Sequence, residues 1–398
     1  MQIPLSGPDI TEEEIKSITE VLKTPNLSFG PKLQEFEDRF AKYIGLPHAV
    51  AVNSGTSGLH LTVIATGIGN KDLVITTPFS FIASSNAILY EQAVPIFVDI
   101  DPQTLNIDPD LVAEACDDIM QDGTKAKKWL PPAFRKNSNG KLKAIIPVHV
   151  FGQPADMGPL IKIARKYQLS VIEDACEAIG AEYKGKKAGI LGDAGVFGFY
   201  PNKQMTTGEG GMIITNKRER ADIFRSLRNQ GRDNLRTKFN HIRLGYNYRL
   251  DEMSAALGLV QLSRIEELLS KRERVASWYN ERLKDVEDLK IPYIVQTTTR
   301  MSWFVYVVRL DPKIDQEWVI KKLEEKGIPS RTYFMPLHLQ PFYVERFGYQ
   351  NGSFPNTEAA GKTCLLLPFF GNMKEEQVEY VCQNLIKILQ DYLLKSRR

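Results

Sequence analysis

Apolar residues near the start of the chain recur at helical spacing. Ile15, Ile18, Val21 and Leu22 share one face, and Asp9-Ile10-Thr11 ahead of Glu12-Glu13-Glu14 offers an N-cap candidate with acids in the opening turn. Phe29-Gly30-Pro31 breaks that pattern, and Leu33, Phe36, Phe40 and Tyr43 predict a second amphipathic helix. The pattern then changes to short continuous apolar runs at 49–52, 73–76, 95–101, 144–152 and 170–177. Between them lie Gly-, Ser- and Pro-rich turns and helical stretches: from Leu59, through Asn86, and across Leu160, Ile163 and Ala164. Repeated strand–turn–helix units predict an α/β chain with a parallel sheet and ligands at the strands' C-terminal edge.

Two further runs, 196–199 and 212–215, enclose Tyr200-Pro201-Asn202-Lys203 and the small-residue loop Thr206-Thr207-Gly208-Glu209-Gly210-Gly211. Pro201 stops the first strand, and the glycines permit backbone conformations closed to other residues. A lysine between two core strands is kept from bulk water. Burial lowers a lysine's pKa, and the neutral amine is the nucleophile that a Schiff base requires. For a lysine taken at random a snorkelling surface role is the commoner one, so Lys203 is on this ground a candidate. Asn53-Ser54-Gly55-Thr56-Ser57-Gly58, between a strand and a helix, suits a phosphate or an ordinary N-cap. Asp174, near the end of the run 170–177, reads on its own as an ordinary N-cap.

A basic helix (217–228) and a long amphipathic one (Met253, Ala256, Leu257, Val260, Leu262, Ile265) follow. Beyond them come a strand at 302–310, a helix at 318–326 ended by Gly327, an apolar run at 365–367 and a terminal helix. The expected division is an arm with the first helix (1–30), a large domain (31–255) and a small C-terminal domain (256–398). Residues 121–143 break the tone: Lys125, Lys127, Lys128, Arg135, Lys136, Lys141 and Lys143 accompany one acid, Asp122, around Trp129. That segment reads as a solvated loop or as a clamp for a diphosphate.

Composition changes this picture little. Its 398 residues, 43% of them hydrophobic, support sizeable cores. With 51 basic and 48 acidic residues the net charge is +3, which points to neither nucleic acid nor membrane. Cys116, Cys176, Cys364 and Cys382 lack disulfide or metal spacing. With no leader pattern and no apolar run near the roughly 20 residues that span a bilayer, a cytoplasmic protein without a metal is expected.

The stretch Phe-Gly-Phe-Tyr-Pro-Asn-Lys-Gln-Met-Thr-Thr-Gly-Glu-Gly-Gly around Lys203 resembles the cofactor-lysine signature of DegT/StrS-type sugar aminotransferases. The likeness extends over nearly the whole chain. It implies a fold-type I aminotransferase: a large domain with a mainly parallel seven-stranded sheet flanked by helices, plus a smaller α/β domain. It implies pyridoxal 5'-phosphate (PLP) held by Lys203 as a Schiff base, with Asp174 facing the ring nitrogen. Gly55, Thr56 and Ser57 match the family's phosphate loop, and Phe81 its ring-stacking aromatic. Asn247, in Gly245-Tyr246-Asn247-Tyr248-Arg249, matches an asparagine that reaches the phosphate of the other subunit of a homodimer with shared active sites. His149, Arg249, Arg331 and His338, the last in His338-Leu339-Gln340-Pro341, become substrate-contact candidates. The sequence departs from the family twice. Glu177 stands where Gln or His often touches the cofactor's phenolic oxygen, and Gly198 where Ser commonly bonds the phosphate. Glu177 would retune the cofactor, or else would point away and pair with Lys184 or Lys186.

The expected reaction moves an amino group, by family expectation from glutamate, to a nucleotide-activated keto sugar at C3 or C4, with Lys203 carrying protons. A keto-cyclitol or other cyclic ketone is the alternative acceptor. A PLP-binding regulator without turnover is a further alternative. In the branch of the family that removes a sugar hydroxyl, histidine replaces the lysine, and Lys203 speaks against that branch.

Overall fold

The structure, a computed structural model, describes residues 1–121, 123–135, 140–233 and 240–396. The first half runs α1 (Glu12–Leu22), α2 (Pro31–Ile44), β1 (His48–Val52), α3 (Gly55–Ala65), β2 (Leu73–Thr76), α4 (Ala83–Tyr90), β3 (Val94–Phe97), α5 (Pro109–Met120), β4 (Leu142–Ile145), α6 (Met157–Tyr167) and β5 (Ser170–Asp174). It continues through β6 (Glu182–Tyr183), β7 (Lys186–Lys187), β8 (Ala194–Gly198), β9 (Gly211–Thr215) and α7 (Arg218–Arg228). Then come α8 (Glu252–Ser263), α9 (Ile265–Leu283), β10 (Leu289–Lys290), β11 (Thr298–Arg300), β12 (Tyr306–Leu310), α10 (Gln316–Glu324) and β13 (Arg331–Thr332). The chain ends with α11 (Pro341–Phe347), α12 (Pro355–Thr363), β14 (Cys364–Leu367) and α13 (Glu375–Ser396).

Seven strands form the large sheet in the order β1-β9-β8-β5-β4-β2-β3. The pairs β2–β3, β2–β4, β4–β5 and β5–β8 are parallel, while β9 opposes both of its neighbours. The architecture is α/β with a mainly parallel sheet, as the resemblance implies. Its strands are continuous apolar runs because helices cover both faces: β2, β3, β8 and β9 are buried at every position. On one face α2 brings Phe36 and Phe40, both fully buried, against Phe197 and Phe199 with ring centroids 5.4–5.7 Å apart. Truncating Phe40 to alanine would cost about 3–5 kcal/mol. Since β1, β5 and β8 run the same way, their C-terminal ends share one edge, and the segments after Val52, Asp174 and Gly198 converge there.

The second half of the chain builds a four-stranded antiparallel sheet, β10-β12-β14-β13, covered by α9, α10 and α13. Strand β11 instead pairs with β6, in the first half of the chain. Several predicted boundaries move. Helix α3 begins at Gly55 with Ser54 as N-cap, so the predicted loop is the helix's own first turn. The long helix over 253–265 is two, α8 and α9, parted at Arg264. The predicted strand 302–310 starts only at Tyr306, because the amides of Ser302 and Phe304 donate to the carbonyls of Gly152 and Phe151.

In the basic segment, Asp122 and Lys136 lie outside the described residues. Lys128 bonds Glu114 and Asp118 and lies over Trp129, whose indole donates to Asp118 at 2.9 Å, and Phe134 packs on Phe347 of α11. No helix among the described residues is long and apolar enough to cross a membrane.

Candidate active site

A cavity of about 400 Å³ opens at the edge where β1, β5 and β8 end. Lys203 enters it from the turn after β8, where its amide donates to the carbonyl of Tyr200 at 2.9 Å. Only 14% of its side chain is exposed. Its Nζ lies 3.7 Å from the centroid of the Phe304 ring and 3.5 Å from Glu177 Oε1. The other Glu177 oxygen accepts from the amide of Phe151 at 3.0 Å. Glu177 therefore faces the lysine and does not pair with Lys184 or Lys186. Burial raises its pKa above the ordinary carboxylate value and Asp174 adds to the rise, against the pull of Lys203 and the Phe151 amide.

Asp174 closes β5 at 5% exposure. Its Oδ2 accepts from Ser84 Oγ at 2.6 Å and its Oδ1 from the Cys176 amide at 3.1 Å. Among the described residues no basic side chain pairs with it. Burial, then the charge of Asp174, keeps the Cys176 thiol protonated well above its ordinary pKa. A buried carboxylate held by one hydroxyl and one amide has room for a cationic partner. The protonated ring nitrogen of PLP is such a partner.

The first turn of α3 supplies the opposite charge preference. Ser54 caps the helix, its Oγ accepting from the Ser57 amide at 3.0 Å and its carbonyl from Gly58. The amides of Gly55 and Thr56 have no acceptor among the described residues, and both residues line the cavity at the positive end of the helix dipole. A Cβ on Gly55 would stand 2.8 Å from Cys176 Sγ and one on Gly211 2.7 Å from the Ser54 carbonyl carbon, so the glycines set how closely α3 approaches β8 and β9. Phe81 lines the same cavity with 62% of its surface exposed, and Gly198 forms part of its wall. An anion cradle, a flat exposed ring, a buried acid and a lysine fit the phosphate, pyridine ring, ring nitrogen and aldehyde of PLP.

Not every expected residue comes to the cavity. The Ser57 hydroxyl donates back to Asn53 at 2.7 Å, and of the two serines in this turn it is Ser54 that lines the cavity. His149 is fully buried behind β5. Its Nδ1 accepts from the Ala155 amide at 3.1 Å, so Nε2 carries the proton and donates to Glu173 at 2.9 Å; neither nitrogen is left for a substrate. His338 is likewise fully buried and bonded to Glu358 at 2.9 Å, and burial lowers its pKa against the pull of that acid. Arg331 is exposed on β13, away from the cavity, and Arg249 donates to Asn229 Oδ1 at 3.3 Å. Asn247 is flanked in sequence by Tyr246 and Tyr248, whose rings stack on each other and the latter of which is anchored on His60, and its side chain is exposed outside this cavity. None of the described basic residues of the 121–143 segment lines the cavity.

Reading the sequence missed three contributors. Ser84 was hidden among small helix residues, and Tyr333, which also lines the cavity, in a loop. Phe304 read as an ordinary strand residue.

Comparison with known proteins agrees with this geometry. The model of the DegT/DnrJ/EryC1/StrS aminotransferase family matches residues 8–386. The chain is 38% identical over 391 residues to the GDP-perosamine synthase of Caulobacter vibrioides, covering 98% of each. It superposes on Helicobacter pylori PseC, an aminotransferase involved in the biosynthesis of pseudoaminic acid, with a TM-score of 0.87 and 26% identity over 98% of this chain and 100% of that one. A Streptococcus pneumoniae protein solved in its PLP form gives a TM-score of 0.87 at 25% identity over 98% and 100% of the two chains. The chain belongs to the DegT/DnrJ/EryC1/StrS family and is a PLP-dependent aminotransferase.

Proposed function

We propose that this enzyme transfers an amino group from glutamate to a nucleotide-activated keto sugar, at C3 or C4, in amino-sugar or polysaccharide biosynthesis. The observation that carries the transfer chemistry is the cavity itself, in which the lysine amine, two buried carboxyls and a helix N-terminus face one space of about 400 Å³. The sugar acceptor is supported by the near full-length likeness to a GDP-perosamine synthase.

In this reading the amides of Gly55 and Thr56 bind the cofactor phosphate, with the Ser54 hydroxyl beside them. Phe81 would cover the ring, and Gly198 would offer a backbone amide where the family commonly has a hydroxyl. Asp174, oriented by Ser84 and the Cys176 amide, holds the proton on the ring nitrogen. So protonated, PLP supplies an electron sink for the pair released when the C–H bond next to the substrate nitrogen breaks. Lys203 Nζ takes that proton and returns it on the other side of the transfer. Phe304 and Tyr333 exclude water from the amine, and Glu177 holds positive charge near it. Among the described residues of a single chain, no cation beyond Lys203 lines the cavity. Asn247, exposed in one chain, serves the phosphate site of a second copy in a homodimer. Arg249 lies on the same exposed segment.

Purified enzyme loaded with PLP and given glutamate should convert to the pyridoxamine form, read by its visible absorbance. A panel of nucleotide keto sugars should then yield one product heavier by the exchange of oxygen for an amino group, read by mass spectrometry. Conversion by glutamate with turnover only on cyclitol ketones would replace the sugar acceptor. No conversion by any amino donor would end the aminotransferase mechanism proposed for these residues.

A further inference from the structure

The most buried cation near the cavity is not the lysine but Arg272 on α9, which is 3% exposed. Among the described residues no carboxylate pairs with it. Its guanidinium is spent on backbone carbonyls of two segments far apart in sequence. Nη2 donates to Lys203 O at 2.8 Å and Asn202 O at 3.2 Å, and Nη1 donates to Phe304 O at 3.0 Å and Trp303 O at 3.4 Å. Burial alone pushes its pKa down to about 10, so the charge persists at neutral pH. A guanidinium is suited to this because its planar fork offers donors in two directions at fixed angles, which a lysine ammonium does not.

We propose that Arg272 is a positioning residue for the transfer reaction: it locks the backbone of the lysine loop to the backbone of Trp303 and Phe304, and so holds Lys203 Nζ over the Phe304 ring. The Lys203 amine stands 3.7 Å from that ring's centroid, and one guanidinium fixes the main chain at both ends of the contact. Gln204 makes a second tie between the same segments, donating to Ser302 Oγ at 2.7 Å and Glu177 O at 2.6 Å. The amide of Phe304 in turn bonds Phe151 O, whose own amide holds Glu177. Lys203, its aromatic floor and its carboxyl neighbour thus share one backbone frame, with Arg272 in the middle. A hydrophobic residue of equal volume would fill the space but orphan four carbonyls. The segment 302–304 leads into the second sheet, so Arg272 also ties the lysine to the smaller part of the molecule.

This proposal rests on Lys203 being the proton-carrying amine, and the experiment separates the two claims. Arg272→Met, Arg272→Lys, Phe304→Leu and the double variant Arg272→Met/Phe304→Leu are compared with wild type. The first readout is the glutamate half-reaction, resolved into kcat and KM. The second is amide hydrogen exchange of the protein without cofactor. A misplaced reacting group loses about 100-fold in kcat, which is the loss expected for Arg272→Met, with KM for glutamate near the wild-type value. Exchange should speed up at Lys203, Gln204, Trp303 and Phe304 while α13 stays protected. Arg272→Lys should recover part of the kcat, and adding Phe304→Leu to Arg272→Met should cost little more, since both act through one contact. A kcat for Arg272→Met close to wild type, a loss confined to KM, or exchange rising uniformly across the fold overturns the proposal. If Arg272→Met does not fold, Arg272→Lys decides by the same readouts with a smaller expected loss. If wild type itself shows no glutamate half-reaction, the catalytic reading of Lys203 fails first. Exchange then decides the clamp alone, and unchanged protection at those four residues would refute it.

Discussion

Helix α9 carries two neighbouring basic residues, Lys271 and Arg272, that belong to opposite kinds of charge cluster. Lys271 faces the N-terminal arm. There it bonds Asp9 at 2.6 Å and Glu267 at 2.7 Å, while Arg264 bonds Asp9 at 3.0 Å, Glu14 at 2.7 Å and Glu267 at 3.1 Å. Gln261 adds bonds to Glu14 and to the Asp9 carbonyl, and Thr11 completes a capping box with Glu14. Every charge there has an opposite charge at hydrogen-bond distance. Around the cavity the pairing is looser. Lys203 and Glu177 stand 3.5 Å apart, Asp174 has a hydroxyl and an amide, and Arg272 has carbonyls and the Phe369 ring. Buried charge without a close partner is costly to keep. The arm cluster is spent on holding the structure together, whereas the cavity cluster retains unsatisfied charge that a ligand can use.

The sharpest way to break this contrast is to remove one residue from each side. Lys203→Ala should cut the glutamate half-reaction by about 10⁴-fold, the upper range for loss of a general acid–base, without lowering Tm. Mixed with an Asn247→Asp variant, it should regain part of the turnover, because one site of the hybrid dimer has both residues native if Asn247 serves the neighbouring subunit. Wild-type rates in Lys203→Ala would refute the mechanism, and no regain under conditions where subunits exchange would refute the shared site.

Arg264→Met is the counterpart. It leaves Glu14 without an opposite charge and Asp9 with Lys271 alone, both acids nearly inaccessible, and should cost about 3 kcal/mol, a few degrees in Tm, with kcat unchanged. Its pH signature has a definite sign. The Arg264 hydrogen bond, then that of Lys271, holds the Glu267 carboxyl down at about 2 against an ordinary 4.5. Burial opposes the same fall for Asp9 and Glu14 but is outweighed, for Asp9 by Lys271 and Arg264 and for Glu14 by Thr11, Gln261 and Arg264. Carboxylates so depressed contribute stability that is complete above their ordinary pKa values and is lost as pH falls toward 2. Wild type should therefore lose Tm steeply below about pH 4, and Arg264→Met should lose less there, having less to lose. A kcat deficit in Arg264→Met at neutral pH would show that the two clusters are not separate.

What the sequence made legible follows the same division. Strand–turn–helix alternation and the signature around Lys203 pointed to the sheet and to the edge where ligands gather, because continuous apolar runs and glycine turns are local features. The acids of the arm were legible as a helix start, since Thr11 caps within three residues of Glu14. What stayed hidden was contact across long sequence distance. Arg272 and Lys203 are joined only in the fold, as are Ser84 and Asp174. The histidines misled for the same reason: His149 and His338 lie in loops that resemble binding segments, but Glu173 and Glu358 hold them fully buried. The basic segment was ambiguous on composition alone, and in the fold Lys128 is bonded to acids of α5, remote from the cavity.

The smallest expected effect tests the least satisfied pair in the cavity. Burial lifts the Glu177 carboxyl above its ordinary pKa, yet its oxygen lies 3.5 Å from Lys203 Nζ. Once ionised, that carboxylate favours positive charge on the lysine nitrogen and so keeps the nearby proton to higher pH. Unit charges about 4 Å apart in a partly buried site interact by several kcal/mol before screening, and one pKa unit corresponds to only ~1.4 kcal/mol. In the PLP-loaded enzyme the visible absorbance change that reports loss of this proton should therefore occur at lower pH in Glu177→Gln than in wild type. Glutamine keeps the size and can still accept from the Phe151 amide, so the frame around Lys203 stays intact and only the charge is removed. Coincident titration curves would mean that Glu177 stays protonated throughout and acts on the lysine by shape alone. Of the two buried carboxyls in the cavity, Asp174 would then be the one that acts by its charge.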